Sequence, residues 1–223
     1  MTHKKIILSL FIVFIIVYMT FCCDSHMIED LHFSTNDLTI NPYSKNDQLF
    51  FRDQTGNTFT ITILSRNRNV GQIYPYHDYS DPNKCKGNYF NSERDETSTT
   101  STGPWYFTLT LSFDYSFNNP VYDKSITIAV NHPAAYNVTS ISYSLAHFNG
   151  DTIYGNYPSI DTVFIYHNSI TLGPKSYYNV YEFISHYSNH NDEWATNLYY
   201  TIKEGIVGFN TNLGKKWYLA EIN

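Results

Sequence analysis

The sequence has few charged residues and is short of basic ones in particular. Charged side chains make up 15% of its 223 residues, and the 14 lysines and arginines are outnumbered by 20 acidic residues, which gives a net charge of −6. Nucleic-acid binding needs clustered lysine and arginine to neutralise phosphates, and the sequence contains no such cluster. We therefore expect no nucleic-acid partner.

Helical periodicity is also missing after the first 22 residues. Tyr, Thr, Ser and Asn are abundant whereas Ala, Glu and Lys are scarce, which is typical of strands and turns. We predict an all-β protein with a single antiparallel domain of roughly ten strands. A curved meander, a sandwich and a partly closed barrel all fit this pattern.

The sequence lacks the common signatures of catalysis as well. It has no Gly-x-Ser-x-Gly elbow and no glycine loop that could hold a phosphate. His186 and His190 are spaced for zinc, with Asp192 and Glu193 close by, but no glutamate lies between the histidines and the nearby Asn and Ser favour a loop. We predict no catalytic residue, no metal and no cofactor. A hydrolase with a site at His186 and His190 is kept as an alternative.

What is present, above all, is a long alternating stretch at residues 105–117. Large apolar side chains occupy every odd position, and Thr, Ser and Asp occupy most of the even ones. A period of two predicts a strand with one buried face. We expect this to be the central strand, with Phe107, Leu109, Leu111 and Phe113 more buried than the hydroxyl residues between them.

Shorter runs predict the other strands. Residues 48–52 and 58–64 are expected to form a hairpin whose turn contains Gly56. Residues 65–102 are the least regular, and we expect a long loop with a mobile low-complexity tip at 92–102 and short strands near 71–74 and 87–91. The remaining strands are expected at 124–130, 138–145, 161–167, 169–172, 177–183, 198–203, 206–209 and 216–219.

The N-terminus has the features of an export signal. Lys4 and Lys5 precede an almost unbroken apolar run at residues 6–21, which is shorter than the ~20 residues of a membrane-spanning helix. Cys22 and Cys23 follow, where bacterial lipoproteins have their lipidated cysteine. An uncleaved N-terminal anchor is the alternative.

These features divide the chain into three parts. We predict a lipoprotein-type signal peptide at 1–22, a polar tether at 23–46 and a β-rich domain at 47–223. Cys23 is the preferred lipidation site because the residue before it is smaller than Phe21, which precedes the alternative site, Cys22. Cleavage before Cys23 leaves Cys85 as the remaining free thiol, whereas cleavage before Cys22 would let Cys23 and Cys85 pair after export.

Several motifs near the two ends of the chain carry a resemblance to a known group of proteins. Residues 169–182, 198–209 and 214–219, together with the opening hairpin after Asn41-Pro-Tyr, resemble uncharacterised exported lipoproteins of Bacteroidota-type bacteria. The resemblance implies a β-rich envelope protein without an assigned activity, and it supplies no catalytic residues. Glu204 departs from the pattern, in which a small residue or Tyr precedes the glycine.

The surplus of tyrosine supplies candidate ligand contacts. The sequence contains 21 tyrosines. Exposed aromatic faces on a rigid sheet can stack on sugar rings or form a protein interface, although tyrosines can also cap a core with their hydroxyls in water. The candidate ligand contacts are Tyr74, Tyr76 and Tyr79 on one predicted loop and Tyr177, Tyr178 and Tyr181 on one predicted strand.

Together these features predict a protein of the cell envelope rather than an enzyme. We expect its lipid to hold it in the outer membrane, with the domain on the periplasmic or the surface side. The domain is expected to bind or scaffold a protein or glycan ligand. A carbohydrate-binding or polymer-binding module is the first alternative to this general binding role, and the hydrolase is the second.

We predict that Cys23→Ala abolishes lipid attachment. Mass spectrometry of the membrane fraction should find lipid on an N-terminal Cys23 in the wild type and none in the variant. Cys85→Ala is the matched control and should leave the lipid in place. A mature N-terminus at Cys22, or full retention of the Cys23→Ala variant in the membrane by a chain that still contains Met1, would contradict this assignment.

Overall fold

The described part of the chain is almost entirely β-structure, as predicted. The structure is a computed structural model that describes residues 27–73, 89–115, 122–131, 141–149, 152–154, 162–185 and 193–223. The one helix in these residues is a 3-10 turn, Asp37–Ile40, and they include no helix with the length and apolar character that crossing a membrane requires. The strands are β1 (Met27–Leu31), β2 (Gln48–Asp53), β3 (Thr58–Ile73), β4 (Tyr89–Ser101), β5 (Tyr106–Tyr115), β6 (Tyr122–Asn131), β7 (Ile141–Asn149), β8 (Thr152–Tyr154), β9 (Thr162–Leu172), β10 (Lys175–Ser185), β11 (Ala195–Thr201), β12 (Gly205–Thr211) and β13 (Lys216–Ile222).

The chain forms two compact units. The described part of the smaller unit consists of residues 27–32, 70–73 and 89–92, and in it β1 pairs in parallel with the beginning of β4. The larger unit runs from Phe33 to Asn69 and from Glu93 to the C-terminus. The structure of the larger unit is the one that bears on function.

Strands β2 to β13 form one antiparallel sheet built mainly from hairpins. Their order is β8-β7-β6-β5-β4-β3-β2-β13-β12-β11-β10-β9, so the first and last strands of this set, β2 and β13, pair with each other. The two ends of the sheet, β8 and β9, are neighbours in sequence. The backbone of β7 also approaches β9 and β10, so the sheet curls until its ends come close. Of the expected forms, the partly closed barrel fits.

Strand β5 is an inner strand, fourth from the β8 end rather than at the centre of the sheet, and it has the predicted faces. It pairs with β4 on one side and along its whole length with β6 on the other. Leu109 and Leu111 are fully buried, and Phe107 and Phe113 nearly so, whereas the hydroxyl residues between them are partly exposed. Trp105 is buried just before the strand, and Phe117 lies outside the described residues.

The predicted hairpin of β2 and β3 is also present, and Asp53 organises its turn. The carboxylate of Asp53 accepts hydrogen bonds from the backbone and side chains of Thr55 and Asn57 at 2.8–2.9 Å. Burial raises the pKa of Asp53, but these hydrogen bonds outweigh it and lower the pKa to about 2. A charged Asp53 therefore stabilises the turn.

The long loop expected at residues 65–102 is not what the structure contains. Strand β3 continues to Ile73, and the low-complexity run forms most of β4. The short strands expected near 71–74 and 87–91 are only the described ends of these two long strands, and residues 74–88 lie outside the described part.

The physical reason for this error is that β4 turns polar side chains inward. Glu93, Asp95 and Thr97 alternate along the strand and are buried. Buried carboxylates are tolerated when they are paired, and here Arg68 binds Glu93 while Arg66 binds Asp95. A strand with charges on its buried face does not show the apolar alternation by which sequence reveals strands.

Residues 33–46, which we call the N-terminal segment, pack against the sheet although they were expected to belong to a tether. The rings of Phe33 and Phe113 are stacked with their centres 4.6 Å apart, and the ring centres of Tyr43 and Phe107 are 5.4 Å apart. Ile40 is fully buried, and its carbonyl accepts a hydrogen bond from the Tyr200 hydroxyl. The packed domain therefore begins near Phe33 rather than at residue 47.

Arg66 fixes the N-terminal segment to β4. Its Nε donates to both carboxylate oxygens of Asp95 at 3.0 Å, and Nη2 donates to Asp95 at 2.6 Å. The remaining bonds go to the carbonyls of Leu38, Asn41 and Tyr43 at 2.9–3.2 Å. One guanidinium thus satisfies a fully buried carboxylate and three backbone carbonyls of the segment.

In the C-terminal half the predicted strands are present with small changes of boundary, whereas the three-residue strand β8 was not predicted. The two pieces expected at 161–167 and 169–172 are the single strand β9, and β11 begins at Ala195, within a stretch expected to be a loop. Short turns follow β9 and β12. Residues 186–192 of the expected loop lie outside the described residues.

We predict that Arg66→Met lowers the free energy of unfolding by about 3–5 kcal/mol, because it leaves the Asp95 carboxylate buried without its partner. Arg94→Met on β4, the strand that carries Asp95, is the control. Arg94 and Glu96 form an exposed pair, with side chains 57% and 41% exposed, so its loss should change stability by less than about 1 kcal/mol. Urea denaturation measures both, and equal losses would contradict the role given to Arg66.

Candidate functional site

A groove lies between the β9–β10 hairpin and the turn that joins β11 to β12. Its volume is about 710 Å³, within the range of sites that bind small ligands. We call it the tyrosine groove. It is lined by Tyr166, Ser176, Tyr177, Tyr178, Asn179, Tyr181, Thr201, Ile202, Lys203 and Glu204.

The conformation of Asn179 places one tyrosine at the rim of the groove. In a regular strand Tyr178 and Val180 would face the same side, yet Tyr178 is 71% exposed and Val180 is fully buried. Between them Asn179 has a φ of 52°, the left-handed region that Asn tolerates better than most residues. The face of β10 therefore changes at Asn179, and the ring of Tyr178 stays in solvent beside the groove.

Tyr177 fixes the hairpin to β13. Its hydroxyl donates to the carbonyl of Leu219 at 2.8 Å, and its side chain is buried. Burial, helped by the charge of Glu204, raises the pKa of Tyr177, so the phenol remains a donor at physiological pH. The position of β10 relative to β13 thus depends on a buried hydrogen bond.

The tip of the same hairpin rests on a second contact. Gly173 has a φ of 60°, and a Cβ added there would lie 2.6 Å from the ring of Tyr218. Leu172, just before it, would be 3.1 Å from a Cβ on Gly208. Both glycines allow a close approach that side chains would prevent, so the hairpin is seated directly on β12 and β13.

A pair of fixed tyrosines forms one wall of the groove. The hydroxyl of Tyr166 donates to Asn179 Oδ1 at 2.7 Å, and its ring centre lies 5.4 Å from that of Tyr181. Tyr181 is buried, whereas Tyr166 is 48% exposed. Tyr166 therefore presents part of an aromatic surface whose orientation is set before any ligand binds.

The opposite side of the groove is the turn between β11 and β12. The Glu204 carboxylate accepts a hydrogen bond from Lys175 Nζ at 2.9 Å, and the Glu204 N–H donates to the Thr201 hydroxyl at 3.0 Å. Lys175 Nζ also lies 4.5 Å from the centre of the Tyr177 ring, which favours its positive charge. The negative charge of Glu204 is therefore already neutralised within the groove.

The N-terminal segment positions this turn. The hydroxyl of Tyr43 accepts a hydrogen bond from the N–H of Ile206 at 2.6 Å. It can come so close because Gly205 has no side chain, since a Cβ there would be 2.0 Å from the same oxygen. The start of β12, directly after Lys203 and Glu204, is thus fixed from inside the sheet.

The structure brings together three of the six tyrosines named from sequence. Tyr177, Tyr178 and Tyr181 all line the groove, although only Tyr178 is largely exposed. Sequence reasoning missed Tyr166 and Lys203, which the fold brings in from β9 and from the turn before β12. Tyr74, Tyr76, Tyr79, Cys22, Cys23, Cys85, His186 and His190 lie outside the described residues.

Sequence reasoning also missed a cluster of polar side chains on β9, β10 and β11. Glu182 is buried; it pairs with His167 Nε2 at 2.6 Å and accepts from Asn197 Nδ2 at 2.7 Å. Burial, together with the charge and hydrogen bond of Glu182, raises the pKa of Tyr199 to about 12. His167 and Asn197 each lie 15 residues from Glu182 in sequence, so only the strand register reveals the cluster. All these bonds are internal and tie three strands together.

Glu193, named from sequence as a neighbour of a histidine pair, has a structural role. Its carboxylate binds the Thr211 hydroxyl at 2.9 Å and Lys215 Nζ at 2.8 Å. Among the described residues no three His, Cys, Asp or Glu side chains are grouped so that they could hold a metal ion. No protein family, curated protein or solved structure matches this chain.

We predict that Gly173→Ala loosens the hairpin that forms the groove. Gly214→Ala is the matched control, because Gly214 has a similar φ of 79° but nothing within 4 Å of an added Cβ. The control should lose about 1–2 kcal/mol from the left-handed backbone alone. Gly173→Ala should lose about 1–3 kcal/mol more, because its methyl group overlaps the Tyr218 ring. Thermal unfolding measures the difference, and equal losses would show that the hairpin is not seated on Tyr218.

Proposed function

We propose that the protein is an envelope-anchored lipoprotein with a non-catalytic binding domain, and that the domain holds a glycan in the tyrosine groove. The observation that carries this proposal is the exposed ring of Tyr178 beside the fixed ring of Tyr166 at the rim of a groove. The N-terminal charge pattern, the apolar run and Cys23 support the lipid anchor.

The chemistry of the groove suits a sugar. One face of a sugar ring is made of C–H groups and packs on an aromatic ring, whereas its edge carries hydroxyls that need hydrogen-bond partners. The groove offers both kinds of surface, since Tyr178 supplies an open ring, Ser176 supplies an exposed hydroxyl and Asn179 supplies an exposed amide.

Preorganisation also favours binding in this groove. Tyr166 is held by Asn179, Tyr177 by the Leu219 carbonyl and Glu204 by Lys175. Side chains that are already ordered lose little further freedom when a ligand binds, so more of the contact energy contributes to affinity. The hydrolase alternative depends on His186 and His190, outside the described residues, and no observation favours it.

We predict that Tyr178→Ala weakens glycan binding about tenfold, since an aromatic stacking contact contributes roughly 0.5–1.5 kcal/mol beyond the area it buries. The full-length protein, purified in detergent, would be screened on a glycan microarray, and the ligands it binds would be titrated by calorimetry. Tyr106→Ala is the matched control, because Tyr106 is a partly exposed tyrosine on β5 that does not line the groove.

Two outcomes would contradict this proposal. The first is a full-length protein that binds no glycan on the array. The second is a Tyr178→Ala variant that binds as tightly as the wild type, which would place the ligand elsewhere. If the protein binds another protein through Tyr178 instead of a glycan, the binding role would be supported but the assignment of a glycan as the ligand would be wrong.

A further inference from the structure

The tyrosine groove contains a positive charge, Lys203, that no carboxylate of the described residues neutralises. Lys203 lines the groove and is exposed, and the structure gives its ammonium group no acidic partner within the described ranges. Lys124, Lys175 and Lys215, in contrast, each pair with a carboxylate at 2.7–2.9 Å. Lys203 and Lys175 together carry two positive charges against the one negative charge of Glu204, so the three residues have a net positive charge.

We propose that the tyrosine groove is a subsite for an acidic sugar, such as a uronic acid within a polysaccharide, and that Lys203 binds its carboxylate. This inference rests on the proposed function, and it names the class of glycan. Tyr178 provides the stacking surface in this arrangement, and Lys203 provides the charge that selects the acidic ring.

The charges of the groove favour an anion over the other ligand types. A cationic ligand would have to compete with Lys175, which already occupies both the face of Tyr177 and the carboxylate of Glu204. A neutral sugar could stack on Tyr178 but would leave Lys203 without a counter-charge. A carboxylate near Lys203 meets a positive charge, while the carboxylate of the next residue, Glu204, is paired with Lys175.

The net charge of the whole chain makes a preference for acidic over neutral glycans informative. The net charge of −6 repels acidic polymers at long range, so non-specific attraction cannot produce a preference for them. A preference for an acidic glycan would have to come from a local site. An open aromatic ring in the same groove as the lysine favours a sugar over an acidic peptide, because a peptide with many carboxylates has little apolar surface to stack on Tyr178.

The test compares acidic oligosaccharides with neutral forms of the same rings. The probes are oligomers of galacturonate, alginate and hyaluronan, together with carboxyl-reduced forms in which a CH₂OH group replaces each carboxylate. Calorimetry with the full-length protein in low salt should show at least one acidic oligomer bound about fivefold more tightly than its reduced form, as expected for a partly exposed ion pair. The difference should shrink in 0.5 M salt, since added salt screens exposed charges.

Lys203→Gln is the decisive variant. It should bind the acidic and the reduced oligomers equally, with the affinity that the wild type has for the reduced form. Lys216→Gln removes another exposed lysine that does not line the groove, and it should keep the wild-type preference. Since Lys203 lies in an exposed turn, both variants are expected to fold, and circular dichroism would check this.

The outcomes separate this inference from the proposed function. Reduced oligomers that bind as tightly as acidic ones, with both depending on Tyr178, would overturn the acidic subsite and leave a neutral glycan site. A preference for acidic oligomers that survives in Lys203→Gln would also overturn it. Polyglutamate binding as tightly as the oligosaccharides would overturn the sugar in favour of an acidic peptide. If neither acidic nor neutral glycans bind, both the proposed function and this inference fail.

Discussion

The ion pair between Arg66 and Asp95 is the contact on which the larger unit depends most. Asp95 is fully buried on β4, a position that a carboxylate can occupy only with a well-placed partner. Arg66 supplies this partner and also binds three carbonyls of the N-terminal segment. The same guanidinium therefore compensates the buried charge on the inner face of β4 and binds the N-terminal segment to that strand.

The geometry of the tyrosine groove depends on the contacts of Arg66 with Asp95 and with the N-terminal segment. The N-terminal segment, held by Arg66, places Tyr43 against Gly205 and the N–H of Ile206. That contact fixes the start of β12 and with it the turn that carries Lys203 and Glu204. The other side of the groove is fixed independently, by the bond of Tyr177 to β13. The shape of the tyrosine groove is thus set by contacts from the N-terminal segment and from β13.

A strand could be predicted from the sequence only where its inward face is apolar. Strand β5 was recognised because Leu109 and Leu111 alternate with hydroxyl residues, and a period of two reports one buried face. Strand β4 was not, because its inward positions include Glu93 and Asp95. The three tyrosines of β10 were found because they are neighbours in sequence. Lys203 was not, since nothing in its own stretch indicates that β10 lies beside it.

The sequence by itself therefore determined the β-class, most of the hairpins and the three β10 tyrosines of the groove, because each follows from residues within one strand or turn. The tertiary structure alone decided that the N-terminal segment is part of the core and that β4 is a strand. It also decided that Tyr166 and Lys203 flank the tyrosines of β10. The physical reason is that each of these depends on a partner far along the chain, as Asn41 does when its amide binds Asp95, 54 residues away. A buried polar group can be recognised as native only when its partner is known, and the partner is known only from the fold.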